Sequence, residues 1–167
     1  MTPEHFNAVF RAHMPEISRF LARRVDQSEV EDLAADLFAI AWNKRAAIPE
    51  GFELPWLYKT ARYLISNHRK KHNNRSRIEL LIARPEAAPS AESIAIADSA
   101  LGSAWTKLQG FERELISLWA YEGFSNKEIG LTLEISENAA AIRLTRAKQK
   151  LKNLLESENF LVDGTVE

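Results

Sequence analysis

The stretch "GFSNKEIGLTLEISENAAAIRLTRAKQKL" (Gly123–Leu151) decides how the C-terminal half of the chain folds. Ser125 stands three residues before Glu128, and both precede the apolar positions Ile129, Leu131 and Leu133. In that order the serine accepts from an unpaired N–H of the first turn and the glutamate reaches back to the cap, forming a capping box. Ser136 opens a second segment, with Glu137 in the first turn, where the helix dipole favours negative charge. Ala140, Leu144, Ala147 and Leu151 then recur at the three- and four-residue spacing of one helix face. Only Glu134 and Ile135 separate the segments, so the turn is tight and Ile135 is expected to tuck under it. Two short helices joined in this way predict a helix-turn-helix, although an αα-hairpin inside an ordinary helical domain carries the same local signals. The second helix favours the former: it holds Arg143, Arg146, Lys148, Lys150 and Lys152 against the single acid Glu137. Cations gathered on such a helix are the footprint of a phosphate backbone. The small residues Ala139 to Ala141 would let its front sink into a major groove, with Asn138 near base edges.

Composition narrows the rest. A chain of 167 residues with 46% hydrophobic content is globular and large enough for one domain or two small ones. It has no cysteine, which excludes a disulfide scaffold and a thiolate metal site and suits a reducing cytoplasm. Glu4 and His5 stand where a signal peptide would have an apolar core, so none is expected, and "LFAIAW" (Leu37–Trp42) is too short to insert in a membrane. The net charge of −1 is distributed unevenly: residues 1–77 hold 13 basic and 9 acidic side chains, residues 78–104 hold 1 and 4, and residues 105–167 hold 8 and 10. Lys59–Arg77 alone contains seven basic residues and no acid. Two local basic surfaces on a neutral chain imply weak DNA binding alone and a partner that holds the protein in place.

The chain divides near its middle. "RPEAAPSAES" (Arg84–Ser93) has linker composition, with two prolines and nothing to bury. On its N-terminal side the apolar stripe Phe6, Val9, Phe10, Ile17, Phe20 and Leu21 predicts a helix over about Pro3–Arg24, bent or divided at Pro15. Ser28 with Glu31 predicts a second capping box and a helix to about Arg45, burying Leu33, Leu37, Phe38, Ala41 and Trp42. After a loop at 44–54, Pro55 in a first turn opens a third helix that ends in "NHRKKHNNR". Beyond the linker, helices are expected around Ser93–Leu108 and Glu112–Tyr121, and then the helix-turn-helix. No period-two pattern appears. The fold class is therefore all-α: two small helical domains, at 1–77 and 105–156, joined by a flexible linker at 78–104 and followed by a tail at 157–167.

Two constellations invite a chemical reading. Asp32 and Asp36 lie four apart, with Glu29 a turn earlier, as general acid/base or metal carboxylates do; without a histidine or third ligand in register, a solvated face or an acidic contact for a basic partner fits better. His68 and His72 share that spacing, but within "HRKKH" the surrounding positive charge opposes a cation and favours phosphate. No nucleophile, metal set or phosphate loop is present, so no enzyme activity and no cofactor are expected. Phe52, Trp56, Tyr58 and Tyr63 are interleaved with the basic run, the pattern that grips single-stranded nucleic acid by charge and stacking. Core packing is the competing role of these rings, favoured for Trp56 and evenly balanced for Tyr63.

Taken in order, these segments resemble the extracytoplasmic-function sigma factors, the smallest members of the bacterial sigma-70 family. "VEDLAADLFAIAW" (Val30–Trp42) is similar to the region 2 pattern AEDLVQETFLRAW, and "LPWLYKTARYLISNHRKK" (Leu54–Lys71) to WLYRIARNLALDELRRR. The stretch from Leu108 to Leu151 resembles region 4, with its RE pair, "EGLSxxEIAxxLGIS" and "RLxRARxxL". The likeness covers about residues 5 to 155. It implies a cytoplasmic protein that binds core RNA polymerase, at its clamp helices and flap, and directs it to promoter DNA, with an anti-sigma factor as a further expected partner. By position, Asp32, Leu33 and Asp36 would meet the clamp helices. Trp56, Lys59, Arg62, Tyr63, Asn67, Arg69, Lys70 and Lys71, with the 44–54 loop, would melt and capture the −10 element as single strand. Ser136, Asn138, Ala139, Arg143, Arg146, Lys148 and Lys150 would hold the −35 duplex. The acidic linker would thread the RNA exit path.

The chain departs from the family pattern in places. Ala35 stands where Gln is usual, Tyr63 and Asn67 where Asn and Asp are common, and Ala139–Ala141 where Thr-Val-Lys is frequent. Gly130 replaces a usual Ala, at about 1 kcal/mol of helix propensity. Two other readings compete: a stand-alone helix-turn-helix regulator, which would dimerise and bind duplex tightly without polymerase, and a sigma mimic that sequesters an anti-sigma factor.

Overall fold

Thr2 is extended and its side chain accepts from the His5 N–H, which starts helix α1 (Pro3–Ala22) with proline in the first turn. The computed structural model describes residues 1–79 and 100–163, and side-chain surroundings over 1–71 and 101–157. The helix passes through Pro15 without dividing, which leaves a bend as the remaining form of the sequence expectation. Pro15 is exposed, so its ring and the ladder bond it removes fall on the solvent side. Helix α2 (Val30–Asn43) does not start at a capping box. Ser28 already lies inside a 3-10 turn, Gln27–Glu29, and the backbone bond from Glu29 N–H to the Asp26 carbonyl (2.9 Å) winds the chain into the helix instead. A second 3-10 turn, Arg45–Ala47, and the buried Ile48 lead to helix α3 (Glu53–Glu79).

These three helices form one compact unit, within Met1–Ser90. Phe6 meets Trp42 edge-on at 5.1 Å and Phe10 meets Phe38 at 4.7 Å, so as one index rises by four the other falls by four and α1 runs antiparallel to α2. Helix α3 closes the core, with Leu57, Tyr58 and Ala61 fully buried and the Tyr58 ring 4.3 Å from that of Phe20. Each of those rings contributes roughly 1.5–3 kcal/mol by burial, with about 1 kcal/mol more from the edge-on pair. Phe10 and Trp42, expected inside, sit at the edge of the stripe and are more than a third exposed.

A second unit lies within Ala91–Glu167. Its described helices are α4 (Ala100–Thr106), α5 (Gly110–Ala120), α6 (Asn126–Leu133) and α7 (Glu137–Asp163). Ala104 is fully buried here, so this unit begins before residue 105. Helix α7 continues into the expected tail. The linker stretch Arg84–Ser93 lies outside the described residues. Every described element is helical, and no described helix is long and apolar enough to cross a membrane.

Candidate nucleic-acid interface

The helix-turn-helix forms as its local chemistry requires. Ser125 Oγ accepts from Glu128 N–H at 3.3 Å and Glu128 Oε2 accepts from Ser125 N–H at 2.8 Å. Ser136 Oγ caps α7 by accepting from Ala139 N–H at 3.1 Å. Between the helices Glu134 is left-handed (φ 58°), and the Ile135 N–H bonds the Gly130 carbonyl at 3.0 Å, with Ile135 half-buried beneath. This turn corrects the reading of Gly130 as a helix-propensity defect. A Cβ there would lie 2.8 Å from the Ile135 carbonyl oxygen and 3.3 Å from Glu137 N, so in this turn an added methyl would have to push that carbonyl aside.

Helix α7 buries Ala140, Leu144 and Ala147 against the unit, and Asn138, Arg143 and Arg146 are exposed. Of the three alanines, only Ala139 and Ala141 reach the surface, both half-buried. Several cations read as phosphate contacts have partners within the unit. Lys150 Nζ bonds both oxygens of Glu112 (2.8 and 3.1 Å). Lys148 Nζ lies 4.1 Å from the centre of the Trp119 ring, and the Arg143 guanidinium 5.4 Å from that of Phe111. Glu112 also accepts from Gln109 N–H at 2.7 Å, completing a capping box for α5 that the sequence reading missed. The bond from Lys150, helped by the Gln109 amide, holds the Glu112 carboxyl below its ordinary value although partial burial opposes this. The Lys150–Glu112 pair bridges 38 residues and leaves no local sequence signal.

In the first unit, Asp32 and Asp36 are exposed with Glu31, Ala35 and Ala39 on one face of α2, whereas Leu33 is buried and supports that face from beneath. Glu29, half-buried, does not join the acidic face; its Oε1 lies 2.7 Å from His68 Nε2 of α3. Among the described residues no group of three His, Asp or Glu converges as a metal site.

Helix α3 separates the aromatic residues by face. Tyr58 is fully buried in the core, while Trp56 is half-buried, packed on one side and accessible on the other. Tyr63 is 52% exposed and lies on a stripe with Trp56, Lys59, Ser66, Asn67 and Lys70, three and four apart. Arg62 is half-buried and Lys71 exposed beside that stripe. Arg69 turns to the end of α1, donating to the Arg24 carbonyl at 3.1 Å. Trp42 packs under the Arg45 guanidinium, 4.2 Å from the ring centre, at the entrance to the 44–54 loop.

An acidic face, a basic-aromatic stripe and a helix-turn-helix on two helical units are the features of a nucleic-acid-binding protein. Comparison with known proteins makes this specific. Residues 106–151 match the family model "Sigma-70, region 4". The chain is 31% identical over 156 residues to the RNA polymerase sigma factor CarQ of Myxococcus xanthus, spanning 90% of this chain and 88% of CarQ. It is 28% identical over 145 residues to the probable RNA polymerase sigma factor RfaY of Xanthomonas campestris, spanning 81% of this chain and 36% of RfaY, so that it covers about a third of that relative's length. Two solved folds are similar: the sigma factor RpoE of Bartonella quintana, crystallised with the anti-sigma factor NepR (TM-score 0.65, 20% identity, 92% of this chain and 98% of that one), and CnrH with the cytosolic domain of CnrY (TM-score 0.61, 23% identity, 93% and 90%). The chain belongs to the RNA polymerase sigma factors of the sigma-70 family, in the extracytoplasmic-function group.

Proposed function

We propose that this sigma factor binds core RNA polymerase through the acidic face of α2 and opens promoters on the outward stripe of α3. Its helix-turn-helix reads the −35 element as duplex. The observation that carries this reading is the stripe itself: Trp56, Lys59, Tyr63, Asn67 and Lys70 put exposed or half-exposed rings and cations on one side of α3, while Tyr58 fills the core on the other. Rings beside cations stack on unpaired bases and follow a backbone, which a buried aromatic row cannot do. Extracting a base from the duplex costs a few kcal/mol, which stacking on Trp56 and Tyr63 offsets. Asp32 and Asp36, exposed on the same unit, offer two carboxylates to a basic helix pair on polymerase. The sigma factor RpoE is solved with the anti-sigma factor NepR, and CnrH with the cytosolic domain of CnrY; an anti-sigma factor is inferred as a regulator of this chain. The protein acts in the cytoplasm, as an initiation factor with no catalytic role.

The test is a co-purification assay with core polymerase, run alongside permanganate footprinting of the −10 region. Asp32→Ala/Asp36→Ala should lose core binding, and Tyr63→Ala should keep core binding yet fail to expose unpaired thymines. Normal core binding by the double variant would refute the docking assignment.

A further inference from the structure

We propose that Ile142 is a specificity-determining residue of the helix-turn-helix, recognising the C5-methyl of a thymine in the −35 duplex. The inference rests on the initiation-factor reading and deepens it to a single base pair.

Three side chains stand one turn apart along the outward face of α7: Asn138, Ile142 and Arg146, all exposed and about 6 Å from one to the next. Their neighbours are engaged within the unit. Lys148 and Lys150 are held by Trp119 and Glu112, and Arg143 lies by Phe111. The Thr145 hydroxyl donates to the Ala141 carbonyl at 2.9 Å, and the Gln149 amide donates to Asn153 Oδ1 at 2.8 Å. Asn138, Ile142 and Arg146 have no hydrogen bond, ion pair or ring contact among the described residues.

Asn and Arg are the side chains that pair bidentately with adenine and guanine edges in the major groove. Isoleucine has no hydrogen-bonding group, so in that row it can recognise only the apolar feature the groove displays, the thymine methyl. Ile142 is 43% exposed at the midpoint of the row, whereas Leu144, two residues on, is buried. A single exposed isoleucine is an ordinary surface feature. This one differs by its place, one turn from each polar reader. Ala139 and Ala141 lie beside it, so no long side chain holds the helix away from the base edges.

The experiment uses holoenzyme made from the full chain and core polymerase. A −35 element is first selected from a randomised promoter library, and each of its thymines is then replaced singly by deoxyuridine, which removes the methyl and preserves pairing. Wild-type holoenzyme should lose about fourfold in affinity at one thymine, the effect of one buried methyl. Holoenzyme carrying Ile142→Ala should be indifferent to that replacement and remain sensitive to base changes opposite Asn138 and Arg146. Equal sensitivity of both holoenzymes at every thymine, or a selected element without thymine on either strand, overturns the proposal. If wild-type holoenzyme selects no element, the initiation-factor reading falls together with it, and that failure appears before any uridine is introduced.

Discussion

The two units use their cations differently. On α3, Lys59, Asn67 and Lys70 share a stripe with the rings of Trp56 and Tyr63, and Arg69 donates to the Arg24 carbonyl. On α7, Lys148 and Lys150 are bound to Trp119 and Glu112, and Arg143 leans on Phe111. In the proposed function the first unit grips a strand by charge and stacking. The second presents a short row of one amide, one apolar side chain and one guanidinium, suited to reading base edges, with affinity supplied from elsewhere. Such a division fits a chain of net charge −1, which by charge alone holds DNA weakly.

The sharpest way to break the comparison is to exchange the roles of two tyrosines on one helix. Tyr58→Ala removes a fully buried ring and should destabilise the first unit by roughly 3–5 kcal/mol in denaturant melts. Tyr63→Ala should leave that melt within about 0.5 kcal/mol while promoter opening falls by ten- to a hundredfold, for a stacking contribution of about 1–3 kcal/mol. Equal losses of stability from both would erase the distinction between core and stripe.

Next comes the turn of the helix-turn-helix. Gly130→Ala should cost the second unit roughly 1–3 kcal/mol, because the added methyl meets the Ile135 carbonyl, even though alanine is the better helix former. Glu134→Gly should add about 1 kcal/mol by relieving a left-handed non-glycine residue. Opposite signs at two positions four apart would show that the turn, not helix propensity, sets the outcome.

The smallest effects distinguish internal cations from outward ones. Arg146→Ala should weaken promoter binding by about tenfold and relax the preference at one base pair, and Lys150→Ala should leave both nearly unchanged. The Glu112–Lys150 pair should be worth less than about 1 kcal/mol, being half solvated. Because the folded carboxyl titrates below its unfolded value, its contribution is fully present above pH of about 4.3 and disappears as pH falls through the lower folded value. Glu112→Gln should therefore flatten the acid limb of the second unit's stability curve.

What the sequence made legible follows the range of the interactions involved. The Ser125–Glu128 capping box and the Ser136 cap involve groups three residues apart, so the letters alone located them. The Ser28–Glu31 pair has the same spacing but fails, because backbone bonds of the 3-10 turn had already taken the chain into the helix. Helical period placed the stripes and left their edges undecided, which is why Phe10 and Trp42 came out more exposed, and Trp56 less buried, than expected. The Glu112–Lys150 and Glu29–His68 contacts join distant segments and left no signal. The close approach at Gly130 was not legible, because the Ile135 carbonyl oxygen comes near it only once the turn is folded.

The most direct test of the central claim is multi-round transcription by bacterial core polymerase on a library of promoter fragments, with and without this protein. Discrete start sites sharing a −35 and a −10 motif, lost with Asp32→Ala/Asp36→Ala, are the expected result. No start sites, with the protein shifting duplex DNA tightly by itself, would contradict it and make the chain a stand-alone regulator.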